Sequence, residues 1–317
     1  MFDYNETLEQ ARQRNISDAL MEDIGTGDWT AKLVPSKPVK AQLIVRQEAV
    51  LCGVDWFEGT LKKLDPDANV TWHYLEGDLM KPDTKVCDIQ ADSQALLSAE
   101  RTCINFLQTL SWTASITRQH VDAIAGASPN PKGCTVLDTR KTIPGLRQAQ
   151  KYAVIVGGGK NQRLALWHGI LIKENHIAAA GSVTAALKNA QALNADVDIQ
   201  IEVENFAELE EALAAGAKSI LIDNFNTDQM KQAVATTAGR ALLEASGGIN
   251  LDQMRAIAST GVDRISLGKL TKDVNAVDFS MRILGWAPLA LDLSLTFPAL
   301  VNQLPLKCIT NKFNIVS

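Results

Sequence analysis

No C-x-x-C pair occurs in this sequence, and its five cysteines, Cys52, Cys87, Cys103, Cys134 and Cys308, are scattered and odd in number. That pattern disfavours a disulfide framework or a zinc site and predicts reduced, structural thiols. No charge-free apolar run is long enough to cross a bilayer, and the acidic start MFDYNETLEQ has no apolar core, unlike a signal peptide. A cytoplasmic protein is expected. Positive charge is not in excess either: 31 Lys and Arg against 36 Asp and Glu leave a net charge of −5. A broad basic surface for nucleic acid or anionic lipid is thereby excluded, so any anionic ligand must meet a local cationic pocket. What remains is an ordinary globular composition, 46% hydrophobic and 21% charged, in 317 residues, enough for two domains or one large barrel with an appendage.

Along the chain, residues 14–24 read as an amphipathic helix that stops at the Gly/Asp-rich stretch 25–28. From Lys40 to Asp92, alternating segments such as AQLIVRQEAV and NVTWHYLEGD predict an antiparallel or mixed sheet with a helix near 54–64. Gln94 to Ala125 contains neither Pro nor Gly and reads as one long helix able to bridge two domains, with 126–133 as a linker. Beyond Gly133, short β-branched runs recur at 135–139, 169–173, 199–204, 219–223, 241–246 and 264–268. Helical patterns at 183–193, 206–215, 227–238 and 251–260 separate several of them. Strand–helix alternation with nearly continuous apolar strands implies a parallel sheet covered by helices, a barrel of about six units rather than eight.

In such barrels the reacting groups sit at the carboxyl ends of the strands. Here those ends carry Asp138, Arg140 and Lys141; Lys173, Asn175 and His176; Glu202 and Glu204; Asp223 and Asn224; Ser246, Gly247 and Gly248; and Gly268 and Lys269. The glycine pair, followed by a helical pattern, suits a phosphate held by backbone N–H groups. Arg140, Lys141, Arg163 and Lys173 add positive charge, and Glu202 with Asp223 could hold a magnesium ion or face a cationic transition state. Gly157-Gly158-Gly159-Lys160 lacks the spacing of a phosphate-binding P-loop and reads as a helix stop followed by a turn. His168 and His176 have no H-x-x-x-H partner, which argues against zinc.

Several longer segments carry a family resemblance: EDIGTGDWTA (22–31), ERTCINFLQTLS (100–111), LDTRKTIPGLRQAQKYAVIVGGGKNQR (137–163), LIKENHI (171–177), IEVEN (201–205), LIDNF (221–225), LEASGGI (243–249) and GKLT (268–271). In these, from about Asp18 to Arg282, the chain resembles the quinolinate phosphoribosyltransferases. The resemblance implies an α/β fold with an amino-terminal α/β sandwich domain (1–125, including the long helix), an incomplete, about six-stranded parallel barrel (126–270), and a carboxy-terminal segment (271–317) packing back on the sandwich. It implies a homodimer, or a higher homo-oligomer, with a shared active site. Its substrates would be quinolinate and phosphoribosyl pyrophosphate, with Mg2+ as the cofactor and with neither nucleic acid nor membrane as a partner.

By the same resemblance, Arg101, Arg140, Lys141, Gln162, Arg163 and Lys173 surround the substrates, with Arg101 reaching in from a partner subunit. Glu202 and Asp223 serve metal and ribose, and Ser246, Gly247, Gly248 and Gly268 hold the 5′-phosphate. Lys141, Lys173, Glu202 and Asp223 are the expected catalytic group. The chain departs from the family pattern at Gln162, usually histidine, Trp112, usually glycine, His168, usually aspartate, and Lys269, usually alanine. Its tail also extends past the usual end, and ALDLSLTF (290–297) echoes AVDFSMRI (276–283). Three other readings stand beside this one: a related transferase acting on another aromatic acid, a barrel aldolase forming a Schiff base through Lys173, and a non-catalytic metabolite-binding relative.

Overall fold

The first helix of the computed structural model, which describes residues 6–284, begins sooner than the apolar pattern does. Helix α1 (Leu8–Ile24) starts at Thr7: Gln10 N donates to Thr7 Oγ1 at 3.2 Å, and Thr7 N donates to Gln10 Oε1 at 2.9 Å. This reciprocal cap satisfies two helix-end donors and extends the helix through polar residues, so the expected start at 14 is too late.

After a single 3-10 turn at Ala31–Leu33 come β1 (Pro38–Val45), β2 (Ala49–Val50), α2 (Val54–Leu64), β3 (Asn69–Trp72), β4 (Leu79–Met80), β5 (Thr84–Asp92) and α3 (Ser93–Ile124). Gly53, which precedes α2, has φ +109° and no side chain to cap with. Glu76 takes over, accepting from Gly53 N (2.8 Å) and Val54 N (3.2 Å). Helix α3 is capped by Asp92, which accepts from Gln94 N and Ala95 N. At 32 residues it runs unbroken for roughly 48 Å.

The second half continues with β6 (Thr135–Leu137), α4 (Arg147–Val156), β7 (Gly169–Ile172), α5 (Glu174–Ala180), α6 (Val183–Ala192), β8 (Asp198–Val203), α7 (Phe206–Ala214), β9 (Ser219–Asp223), α8 (Thr227–Thr237), β10 (Leu242–Ser246), α9 (Met254–Ala258), β11 (Arg264–Ser266), α10 (Lys269–Lys272) and β12 (Phe279–Leu284). The expected helix at 251–260 divides into a 3-10 turn at Leu251–Gln253 followed by α9.

Two larger sheets result. One is antiparallel, in the order β12-β1-β5-β3. Its buried residues Leu43, Val45 and Ile89 form a core with Phe57 and Leu61 of α2 and with Leu96 and Leu107 of α3. The other is parallel, in the order β6-β11-β10-β9-β8-β7. Its outward residues, among them Val136, Ile172, Ile201, Ile220, Leu243 and Ile265, pack with Leu187, Leu209, Met230 and Met254 of the surrounding helices. The chain is therefore an α/β protein in which an antiparallel sheet and its helices accompany a six-stranded parallel sheet. Residues 285–317, with Cys308 and the repeat-like 290–297, lie outside the described residues. The four described cysteines are free, and Cys52, Cys87 and Cys103 are buried.

The parallel sheet leaves a seam between its edge strands β6 and β7, and residues 159–163 occupy it. Lys160 bridges Leu137 in parallel, and Arg163 Nη1 donates to Gly169 O at 2.8 Å. The glycine run before this segment does end α4, as its composition predicts. It also allows close packing: a Cβ at Gly157 would lie 2.4 Å from the Ala114 carbonyl oxygen, and one at Gly159 would lie 2.8 Å from Thr117 Cγ2.

Candidate functional site

Because the six strands are parallel, their carboxyl ends present side chains at one end of the sheet. Alternation along each strand selects which residues face inward: with Ile201 and Val203 packed outward, Gln200 and Glu202 turn into the lumen. Lys173, just past β7, places Nζ 2.8 Å from Glu202 Oε2. Asp223 ends the adjacent strand and accepts from Asn224 Nδ2 at 2.8 Å, and Ser246 stands beside it in register.

Gly247 (φ +103°) and Gly248 (φ +51°) follow Ser246 in conformations that favour glycine. A Cβ at Gly247 would meet Asn224 Oδ1 at 2.4 Å, whereas the space beside Gly248 is open. No helix starts directly at this pair, since the 3-10 turn begins at Leu251; any phosphate contact is left to the backbone of the turn itself. Gly268 approaches the Lys141 stem, where a Cβ would lie 2.9 Å from Cδ. Thr271 Oγ1 fixes the Lys141 backbone by donating to its carbonyl at 2.7 Å, and the Lys141 ammonium has no hydrogen bond or ion pair among the described residues.

A buried ion pair supports the seam. Lys151 of α4 pairs with Asp138, both with almost no solvent exposure, and also donates to Gln162 O at 3.0 Å. Asp138 accepts in addition from Gln162 N (2.9 Å) and, with the Asn161 amide turned to donate, from Asn161 (2.6 Å). Burial pushes the Asp138 carboxyl up to about 6, against the pull of Lys151, and pushes the Lys151 ammonium down. The backbone that carries Gln162 and Arg163 is thus anchored from inside the protein. Arg163 lies below its usual range through burial and then through the charge of Arg140. Arg140 Nε is itself buried without a partner. The charge of Arg140 is thus felt at Arg163, and an unused buried donor on a cation is chemistry suited to an anion.

The Gln162 side chain donates to Gln200 Oε1 (2.8 Å), and Gln200 donates to Glu244 Oε2 (2.9 Å). Burial raises the Glu244 carboxyl above its ordinary range. The charge pattern of the strand ends does not reveal Lys151, Gln200 or Glu244. For the last two a signal was present: each lies two residues before a recognised strand-end residue, Glu202 or Ser246, and so shares its face. Lys151 is marked only by its place three residues before the buried Val154.

Other expected residues are placed elsewhere. Arg101 is exposed on α3, with no hydrogen bond or ion pair among the described residues. Arg163 is held to the start of β7 through its bond to Gly169 O. His168 is exposed, accepts from Leu164 N at 3.4 Å and packs edge-on against Trp167. Trp112 Nε1 donates to Asp273 O at 3.0 Å, tying α3 to the segment before β12. Lys269 Nζ donates to Asn250 Oδ1 at 2.8 Å. Lys173 is engaged with Glu202, whereas Schiff-base chemistry needs a free amine. A cavity of about 750 Å3 lies among Gln162, Arg163, His168, Gln200, Lys218 and Arg264.

Among the described residues, no three His, Cys, Asp or Glu side chains are grouped to hold a metal. Glu202 and Asp223 nevertheless fit Mg2+, which commonly takes one or two carboxylates and completes its shell with substrate phosphates and water.

The quinolinate phosphoribosyl transferase C-terminal domain model matches residues 113–282, and the N-terminal domain model matches residues 28–111. The chain is 38% identical over 265 residues to a probable nicotinate-nucleotide pyrophosphorylase (carboxylating) of Bacillus subtilis, covering 83% of this chain and 90% of that protein. It is 37% identical over 282 residues to the nicotinate-nucleotide pyrophosphorylase (carboxylating) of Mycobacterium leprae, covering 86% of this chain and 96% of that one. The solved structure of the Francisella tularensis nicotinate-nucleotide pyrophosphorylase superposes with a TM-score of 0.83 at 39% identity, over 89% of this chain and all of that one. With both domain models matched in order and relatives aligned over most of their length, the chain belongs to the quinolinate phosphoribosyl transferase family.

Proposed function

We propose that this protein transfers phosphoribose from phosphoribosyl pyrophosphate to the ring nitrogen of quinolinate, with decarboxylation, giving nicotinate mononucleotide, pyrophosphate and CO2 in de novo NAD biosynthesis. The observation that carries this reading is the buried, unpartnered Nε of Arg140, whose charge is also felt at Arg163: a cation with an unspent donor, backed by a second cation, suits an aromatic dicarboxylate. Arg140, Arg163 and Gln162 take the pyridine carboxylates, Lys141 and Lys173 meet phosphate charge, and Ser246, Gly247, Gly248 and Gly268 receive the 5′-phosphate.

Breaking the C1′–O bond moves its electron pair to pyrophosphate and leaves positive charge on the ribose. Glu202 and Asp223 stabilise that charge, and Lys141 and Lys173 stabilise the departing anion. Glu202 and Asp223 would also hold Mg2+, which supplies charge neutralisation on the pyrophosphate when bound. Bond formation makes the pyridine nitrogen quaternary and electron-withdrawing. The carboxylate on the adjacent carbon then leaves as CO2, its bonding pair staying on that ring carbon, where the neighbouring cationic nitrogen stabilises it until a proton is taken up there.

The active site is shared within a homodimer, in which the sandwich domain (1–125) of one subunit supplies Arg101 to the barrel (126–270) of the other. The unpartnered Arg101 and the exposed Trp29 (76%) and Leu33 (82%) support that arrangement. No described helix is long and apolar enough to cross a membrane, and free cysteines suit the reducing cytoplasm. Turnover with phosphoribosyl pyrophosphate and Mg2+, measured with quinolinate and with nicotinate in parallel, tests the reading. Conversion of quinolinate with negligible use of nicotinate supports it, and equal or better use of nicotinate contradicts it.

A further inference from the structure

Inside the barrel, the reaction described above makes no use of Gln200 or Glu244, although both are placed with care. Gln200 is 6% exposed and Glu244 is 1% exposed. Gln162 Nε2 donates to Gln200 Oε1 at 2.8 Å, and Gln200 Nε2 donates to Glu244 Oε2 at 2.9 Å. The other carboxylate oxygen, Oε1, has no partner. A carboxylate can only accept hydrogen bonds, whereas an amide both donates and accepts. Glu244 therefore turns the Gln200 nitrogen toward itself and leaves the Gln200 oxygen to face the seam. That oxygen in turn requires the nitrogen of Gln162. The buried acceptor at the far end sets the direction of both amides.

This matters because Gln162 has two amide N–H groups and only one is spent on Gln200. Its backbone is fixed separately, by Asp138 at the nitrogen and Lys151 at the carbonyl. With both backbone and amide held, Gln162 neighbours Arg163, whose charge is coupled to that of Arg140. We propose that Gln200 and Glu244 are positioning residues for the pyridine dicarboxylate, acting through Gln162, whose second N–H they hold ready for a substrate carboxylate. The inference rests on the reading of Arg140, Gln162 and Arg163 as the neighbours of quinolinate. Holding a flexible amide before the ligand arrives favours binding by reducing the ordering left to be done.

Steady-state kinetics of the full chain test it, with KM for quinolinate and KM for phosphoribosyl pyrophosphate measured separately from kcat. The variants are Gln162→Leu, Gln200→Leu, the double Gln162→Leu/Gln200→Leu, and the exchange Gln200→Glu/Glu244→Gln. Loss of one positioned hydrogen bond predicts that Gln200→Leu raises KM for quinolinate about three- to tenfold and leaves KM for phosphoribosyl pyrophosphate unchanged. The double variant should match Gln162→Leu alone, since Gln200 has no other route to the substrate. The exchange keeps one carboxylate, now accepting from Gln162 directly, and should return KM for quinolinate to the wild-type value.

An undiminished effect of Gln200→Leu in the Gln162→Leu background overturns the proposal, as do equal shifts in both KM values. Should Gln200→Leu fail to fold, the exchange decides: restored KM supports the relay and a raised KM refutes it. Wild-type protein that does not turn over quinolinate refutes the substrate reading and the relay with it, whereas an active wild type with additive variants refutes the relay alone.

Discussion

Replacing Lys151 with methionine keeps most of the side-chain volume and removes one charge from a buried pair. In the native protein that charge pairs with Asp138 and donates to Gln162 O at 3.0 Å. The variant leaves Asp138 buried with only Gln162 N and Asn161 as donors. Breaking a buried pair by removing one partner costs about 3 to 5 kcal/mol, because the remaining charge is uncompensated. For a domain of this size that is a fall in Tm of roughly 6 to 20 °C.

The sign of the pH dependence follows from Asp138, whose carboxyl burial already pushes up to about 6 while Lys151 pulls it down. A carboxyl raised in the folded state binds its proton more tightly there than in the unfolded chain, so stability falls as pH rises from the ordinary carboxylate range through the folded value. Without Lys151 the folded value rises further, and the loss relative to wild type should be larger at pH 8 than at pH 5. Chemical denaturation at both pH values reads this directly. Adding Asp138→Asn should recover much of the loss, since the stranded charge is gone. A cost below about 1 kcal/mol, or one equal at both pH values, would refute the view that this pair anchors the seam.

Arg140→Ala removes a charge-assisted contact and should lower kcat/KM for quinolinate about ten- to a hundredfold; an unchanged value would take Arg140 out of the site. Mixing an Arg101→Ala chain with a Lys173→Ala chain should restore activity, because one site of the hybrid dimer receives both intact residues; exchange of labelled subunits without recovery would place Arg101 in its own chain's site. Gly247→Ala combines a φ of +103° with a Cβ 2.4 Å from Asn224 Oδ1, so KM for phosphoribosyl pyrophosphate should rise more than KM for quinolinate. An equal rise in both would separate this turn from the 5′-phosphate.

The parallel sheet was legible because its strands are short apolar runs, most of them β-branched, and Ser219–Asp223 coincides with its apolar segment residue for residue. Lys173, Glu202, Asp223 and Ser246 were legible for the same reason, as polar residues at the ends of those runs. The start of α1 was not, since Thr7 and Gln10 stabilise it through a cap and not through an apolar face. Gly157 and Gly159 read locally as a helix stop, and their closeness to Ala114 and Thr117 depends on a contact about forty residues away in sequence. Lys151 looks like any helix-surface lysine until Asp138 is brought opposite it. Gln200 and Glu244 were within reach of the alternation argument, but side chains in the middle of a strand offer no strand-end cue.

Quinolinate labelled with 14C in the carboxylate next to the ring nitrogen provides the most direct test of the central claim. Incubated with phosphoribosyl pyrophosphate and Mg2+, the protein should release labelled CO2 and pyrophosphate in equal amounts, and neither in the absence of phosphoribosyl pyrophosphate. Pyrophosphate formed without labelled CO2, or labelled CO2 released without phosphoribosyl pyrophosphate, would contradict the account.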